Sequence, residues 1–178
     1  MLSIQLDADY LEREAPIEVD VEGYSVLYIY YGGPGGGAEA ATIEAAEAGT
    51  VELDAKGQRR LFFITAPIAL IGLNITGGNA GGEGGGGLLV YGGSAHLNLC
   101  NLYSNTAGSS GGGVLIAASG SGSATFSNCI IINNNAATAG GGLFIFTGGS
   151  ATLTDSHVSS NVASLGSDLY AQASSSVL

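Results

Sequence analysis

The sequence predicts an all-β fold: a single-stranded right-handed parallel β-helix, a solenoid of short three-sided coils, with an irregular N-terminal region. Three observations carry this. Ser-Ala-His-Leu at 94–97 returns as Ser-Ala-Thr-Phe at 123–126 and Ser-Ala-Thr-Leu at 150–153. Leu70, Leu97, Phe126 and Leu153 therefore form one series with a nearly constant interval. A glycine triplet followed by an apolar run recurs with the same period: Gly85–Gly87 before Leu88-Leu89-Val90, Gly111–Gly113 before Val114-Leu115-Ile116, and Gly140–Gly142 before Leu143-Phe144-Ile145. Finally, no segment after residue 48 has the length or period of the helices that a doubly wound α/β fold needs between its strands.

The period, roughly 27–29 residues, suits one solenoid turn. One turn cannot bury its own apolar side, so like positions stack, ~4.8 Å apart, into a continuous core and an unbroken parallel ladder. The columns read directly from the repeat: Leu73, Cys100, Cys129, Ser156; Ile75, Leu102, Ile131, Val158; and Ala80, Ala107, Ala136, Ala163. A polar column runs Asn105, Asn134, Asn161, with Gly78 at its start. Its stacked amides are expected to bond to one another and to the bend backbone.

The spacing within a coil places the bends. The step from Leu97 to Cys100 is odd and the step from Cys100 to Leu102 is even. A strand keeps one face only at even spacing, so the odd step marks a corner where the chain turns and still points inward. The glycines mark a second corner, where positive φ or close backbone approach is required.

The N-terminal part is less regular. Ile4, Leu6 and Ala8 alternate with Gln5, Asp7 and Asp9, and Ile17, Val19 and Val21 with Glu18, Asp20 and Glu22. Both stretches read as strands with acids outward, and Val26 to Tyr31 as a further strand. Gly37 to Gly49, rich in Ala and Glu, reads as a turn or two of helix or a loop on the coil. The chain is expected to be one β-helix domain over 1–178, with irregular coils and a cap in 1–60 and regular coils in 61–178. Ser175-Ser176-Val177-Leu178 aligns with Ser150-Ala151-Thr152-Leu153. The chain is thus expected to stop early in a new coil, with an open end that is continued, or covered by a partner or a second copy.

The stretch GGGLLVYGGSAHLNLCNLYSNTA and its two variants resemble the right-handed parallel β-helix repeats of the pectate-lyase-like superfamily, closest to the polymorphic outer membrane protein repeat. The Gly-Gly-x-apolar motif of that repeat stands at Gly86–Leu89, Gly112–Leu115 and Gly141–Phe144. Its aromatic-x-x-Asn motif carries aliphatics here, at Leu102, Ile131 and Val158, before Asn105, Asn134 and Asn161. The resemblance covers roughly residues 50–178. It implies the fold, and it implies that lyases of the superfamily would use clustered acids for Ca²⁺ with a basic residue as proton acceptor, and polygalacturonases several aspartates.

Composition argues against most chemistry. Charged residues are 11% of the chain and the net charge is −11. All four basic residues (Arg13, Lys56, Arg59, Arg60) and twelve of the fifteen acids lie in residues 1–60. An acidic chain without a basic patch is not built for nucleic acid or anionic membranes. No stretch reads as a signal peptide or a bilayer span. The acid run Asp7, Asp9, Glu12, Glu14, Glu18, Asp20, Glu22 reads as a solvated strand face rather than a Ca²⁺ site. The repeats hold only Glu83, Asp155 and Asp168 as acids, without a pair set for glycoside hydrolysis.

His96 and His157 fall in different columns, so they cannot share a metal. Gly108-Ser109-Ser110-Gly111-Gly112 matches a nucleophile elbow in letters only, since that motif needs a strand-to-helix turn. No Thr-x-Thr array of the ice-binding kind repeats across the coils. Cys100 and Cys129 are expected to be buried free thiols in one ladder.

These observations assign no catalytic, cofactor-binding or metal residue and no cofactor. They favour a non-catalytic structural or interaction (adhesion-type) module, extracellular or cell-surface in type. The other readings are a carbohydrate-active enzyme or its remnant, and a scaffold subunit in a larger assembly. A flat apolar side would favour docking, and a groove with clustered acids would favour the enzyme. The partners expected are a protein or a second copy at the open C-terminal coil, and glycans.

Overall fold

The computed structural model describes residues 2–6, 25–29, 41–117 and 122–178. They form a parallel β-solenoid with three main sides, and no helix occurs among them. Sheet 1 runs β1 (Leu2–Leu6), β3 (Ala41–Ala45), β6 (Ile68–Ile71), β9 (Ser94–Asn98), β13 (Ser123–Ser127), β17 (Ser150–Thr154) and β20 (Ser176–Val177). Sheet 2 runs β4 (Val51–Asp54), β7 (Leu73–Thr76), β10 (Asn101–Tyr103), β14 (Ile130–Ile132) and β18 (His157–Ser159). Sheet 3 runs β2 (Ser25–Ile29), β5 (Arg60–Ile64), β8 (Leu88–Tyr91), β12 (Val114–Ala117), β16 (Leu143–Ile145) and β19 (Leu169–Ala171). A short pair, β11 (Thr106–Ala107) with β15 (Asn135–Ala136), sits at the corner after sheet 2.

The registers are those read from the repeat. Leu70 pairs with Leu97, Leu97 with Phe126 and Phe126 with Leu153. Ile75, Leu102, Ile131 and Val158 form the second column. Leu70, Ile75, Leu102, Phe126 and Ile131 have no exposed surface, and burying side chains of this size contributes about 1.5–3 kcal/mol each. Cys100 and Cys129 are buried and unbridged. The contact with the Cys129 thiol, and burial after it, push the Cys100 thiol up, so it stays protonated.

The corner between sheets 1 and 2 is a single residue in the left-handed region: Leu99 (φ 55°), Asn128 (φ 53°) and Asp155 (φ 48°), below Gly72 (φ 70°). The amides of Leu99 and Asn128 still donate to Ser127 and Thr154 of the following coil, so the ladder continues around the bend. A second left-handed residue closes sheet 2: Ser104, Asn133 and Ser160. Next to it comes the asparagine ladder. Asn105 Nδ2 donates to Asn134 Oδ1 at 3.0 Å and to the Ile75 carbonyl at 3.1 Å. Asn134 repeats both bonds with Asn161 and Leu102. The ladder starts at the Gly78 amide. It ends on Asp168, whose Oδ1 accepts from both Asn161 N and Nδ2 at 3.0 Å, in the place of a next asparagine.

Each glycine of a triplet has its own task. Gly111 takes φ +69° and turns the chain into β12. A Cβ on Gly112 would lie 2.4 Å from the Asn135 carbonyl oxygen, and one on Gly113 3.1 Å from the Asn134 amide. Side chains there would push the coils apart or displace the ladder.

Two expectations are corrected. Ala41–Ala45, inside the stretch read as helix or loop, is a strand of sheet 1 in register with Ile68–Ile71. Ile43 and Ala45 are buried: alternation and the neighbouring strand override the helix preference of Ala and Glu. At the other end Ser176, not Ser175, pairs with Ser150, and Val177 with Ala151. The last coil is one residue off the register read from its serines, because Val177 takes the inward place and serine carries no apolar group to fix it. The acid run from Asp7 to Glu22 and the segment Ile17 to Val21 lie outside the described residues, as do Tyr30 and Tyr31 beyond β2.

Two outcomes test the core. Ile131→Asp should abolish cooperative folding, and Asn134→Ala should cost on the order of 2–4 kcal/mol by orphaning the buried Asn105 amide and the Leu102 carbonyl. Urea titration followed by circular dichroism measures both, and a near-neutral Asn134→Ala would refute the role given to the ladder. Thiol titration should find no reactive group in the native chain and two after unfolding; a bridge seen by non-reducing mass spectrometry would refute the free pair.

Candidate functional site

Every second residue of a strand points away from the core, so each sheet displays its own outward ladder. The three ladders differ sharply in chemistry.

Sheet 3 is apolar outside as well as inside. Phe63, Leu89, Leu115, Phe144 and Tyr170 form one outward column in register. Phe144 stacks on Tyr170 along this column at 5.5 Å and 11°, and Phe63 packs diagonally against Tyr91 of the following coil at 5.8 Å. Tyr91 pairs with Ala117, and the Phe146 amide bonds to the Ile116 carbonyl, so Tyr91, Ala117 and Phe146 make a second outward row. Tyr91 and Phe146 are 44% and 46% exposed. No charged residue stands in either row.

Sheet 1 is polar and uncharged where coils are regular. Its outward positions are Ser94, His96, Asn98; Ser123, Thr125, Ser127; and Ser150, Thr152, Thr154. His96 Nδ1 lies 2.7 Å from Thr125 Oγ1. Sheet 2 mixes amides, a phenol and acids. Asn101 donates to Asn74 at 2.8 Å, and Asn74 to the Gly49 carbonyl. The Tyr103 hydroxyl donates to the Glu52 carboxylate two coils away. Desolvation first, then the bond and charge of Glu52, push Tyr103 up to about 12.

A depression of about 400 Å³ lies where the first long glycine loop overhangs the shorter turn before it. Val51 of sheet 2 pairs with Leu73, and Phe62 of sheet 3 pairs with Leu88. The path from Leu73 to Leu88 is longer than the path from Val51 to Phe62 beneath it, so the second coil carries extra chain between sheets 2 and 3. Asn79 joins roof to floor, donating to the Gly57 carbonyl at 3.0 Å and accepting from the Gly81 amide at 2.9 Å. Behind it Arg60 is buried: its guanidinium donates to the carbonyls of Gly84 and Gly85 and pairs with Glu83 at 2.8 Å. A charge so placed is tolerated because its donors are satisfied. The repeat pattern gives no signal for it, since Arg60 precedes the regular coils.

The remaining candidates do not converge. His157 bonds to Ser159 on sheet 2, away from His96 on sheet 1. Ser110 Oγ meets Thr138 Oγ1 at 2.7 Å in the loop column, with no histidine or helix beside it. Asp155 occupies the corner between sheets 1 and 2, and Asp168 caps the amide ladder. Among the described residues no three His, Cys, Asp or Glu side chains gather as metal ligands, and no helix is long and apolar enough to cross a membrane.

A family model described as a right-handed beta helix region matches residues 65–177. The chain belongs to the right-handed β-helix family. No curated protein and no solved structure matches it. Within this β-helix the matched span takes in every coil of the asparagine ladder, and the overhung turn at Gln58 and Arg59 lies just before it.

Ultraviolet titration checks the sheet 2 contact. A folded-state value near 12, above the ~10 of an unfolded tyrosine, favours the fold below about pH 10. That contribution is lost as the pH rises through about 12. Tyr103→Phe should delete one late-titrating phenol; an unchanged curve would contradict the contact.

Proposed function

We propose that this β-helix is a non-catalytic interaction module that docks a partner on the outer face of sheet 3. One observation carries the reading: Tyr91 and Phe146 stand 44% and 46% exposed on a sheet face already lined with Phe63, Leu115 and Tyr170, with the buried Arg60 guanidinium 5.9 Å from the Phe63 ring centre. Aromatic side chains on a preorganised surface are the usual anchors of an interface, because they bury much area for little lost freedom. The resemblance to the polymorphic outer membrane protein repeat supports an adhesion-type setting at a cell surface. The separate duties of Asp155 and Asp168 weigh against a lyase or hydrolase.

A second contact is favoured at the last coil. Leu153, Val158 and Leu169 end the inward columns only partly buried, whereas Phe126, Ile131 and Leu143 one coil earlier are fully so. A further coil, from any chain, would complete their burial.

A photoreactive phenylalanine analogue at 91 or 146 tests the main reading. Cross-linking to extracted cell-surface proteins should give discrete adducts from these positions and none from position 125 on sheet 1. Phe146→Ser should lower their yield at least tenfold while circular dichroism stays native. Equal adducts from both sheets, or turnover of pectate or polygalacturonate by the purified chain, would overturn it.

A further inference from the structure

The second outward row of sheet 3 alternates large and small side chains along the solenoid axis. Tyr91, Ala117 and Phe146 stand in register on successive coils. The row runs on to Thr65 on one side, which follows Ile64 as Tyr91 follows its partner Val90. On the other side it reaches Gln172, whose amide donates to the Ile145 carbonyl as the Phe146 amide donates to that of Ile116. Each exposed ring leans on a neighbour in the first column and not over Ala117: Tyr91 on Phe63 at 5.8 Å, and Phe146 on Phe144 at 6.2 Å. Gln172 is drawn onto Thr147, whose amide and hydroxyl both donate to its Oε1. The row is therefore two aromatic ridges, with a hollow at Ala117 between them and a hollow beyond each.

The spacing of the hollows selects the shape of the partner. One coil rise is ~4.8 Å, so the hollows repeat every ~9.6 Å. An extended strand laid along the axis returns a side chain to one face every ~6.7 Å, and an α-helix every ~5.4 Å. Both would set side chains on the ridges. A polyproline II segment has three residues per turn and a ~3.1 Å rise, so it returns every ~9.3 Å. Its residues i, i+3 and i+6 span ~19 Å, the length of the four coil rises between Thr65 and Gln172.

The polar groups of the row suit the same partner. That conformation leaves its backbone carbonyls without internal partners, and proline has no N–H to satisfy. The Tyr91 phenol can donate to such carbonyls. So can Gln172, because both of its bonds among the described residues run through Oε1 and leave Nε2 to donate.

We propose that the outer face of sheet 3 binds a proline-rich segment in the polyproline II conformation, laid along the solenoid axis with every third residue in a hollow. The proposal rests on the reading of sheet 3 as the docking face and names the chemistry of its partner. Proline-rich segments suit aromatic-lined grooves because their conformation is formed before binding.

The test titrates fluorescein-labelled decaproline with the full chain and follows fluorescence anisotropy. A labelled (Gly-Ser)5 peptide and a labelled alanine-based helical peptide are the controls. Decaproline should bind saturably, and at least tenfold more tightly than either control. Ala117→Leu fills the middle hollow from an outward position and should weaken binding at least tenfold, whereas Ala117→Ser should leave it within twofold. Tyr91→Ser removes one ridge and should also weaken binding at least tenfold, which keeps the test decisive if Ala117→Leu fails to fold by circular dichroism. No binding of decaproline, equal binding of a control, or full binding by a folded Ala117→Leu or Tyr91→Ser chain would each overturn the proposal. Photo-adducts from positions 91 and 146 that excess decaproline does not compete away would overturn it and leave the docking reading standing. Tight decaproline binding with no adduct from either position would sink the docking of cell-surface proteins alone.

Discussion

Every coil must hand its backbone donors to the coil beside it, in register, because no helix or hairpin among the described residues closes the hydrogen bonds locally. This requirement organises the whole molecule. It holds the strands at one coil rise, so like residues meet like residues, and it carries through the corners, where Leu99 and Asn128 still donate to the following coil. The bends are accordingly tight and left-handed, even at non-glycine residues where that conformation is uncommon.

The asparagine ladder is the same requirement met by side chains. At the bend after sheet 2 the backbone turns away from its neighbours, and buried amides are left without strand partners. Asn105, Asn134 and Asn161 supply them: the first two are bonded to the coil before and the coil after, and Asn161 to the coil before. The third glycine of each triplet leaves room for these amides, which couples the glycine corner to the asparagine corner across the core. Asp168 accepts two bonds with one carboxylate oxygen and so closes the ladder at Asn161.

Once the interior is committed to stacking, variation is confined to what points outward and to the length of the loops. Both candidate surfaces come from that freedom. Sheet 3 carries aromatic residues outside because outward strand positions accept any side chain that suits a pleated surface. The cleft at Gln58 and Arg59 exists because one loop is longer than the turn below it, so its underside meets no stacked neighbour.

The sequence by itself determined the coil, its core columns, the odd-spaced bend, the asparagine column and the buried cysteine pair. In a stacked repeat, contact is written as recurrence: residues one period apart that match in type are neighbours. Where recurrence fails, so does the reading. Ala41–Ala45 resembled a helix because no later coil repeats its composition, and the last coil slipped by one residue because its serines are alike. The burial of Arg60, the aromatic outer face of sheet 3 and the cleft were decided only by the tertiary structure. Each depends on a difference between adjacent coils, in loop length or in the direction a side chain points, and a difference has no period to read.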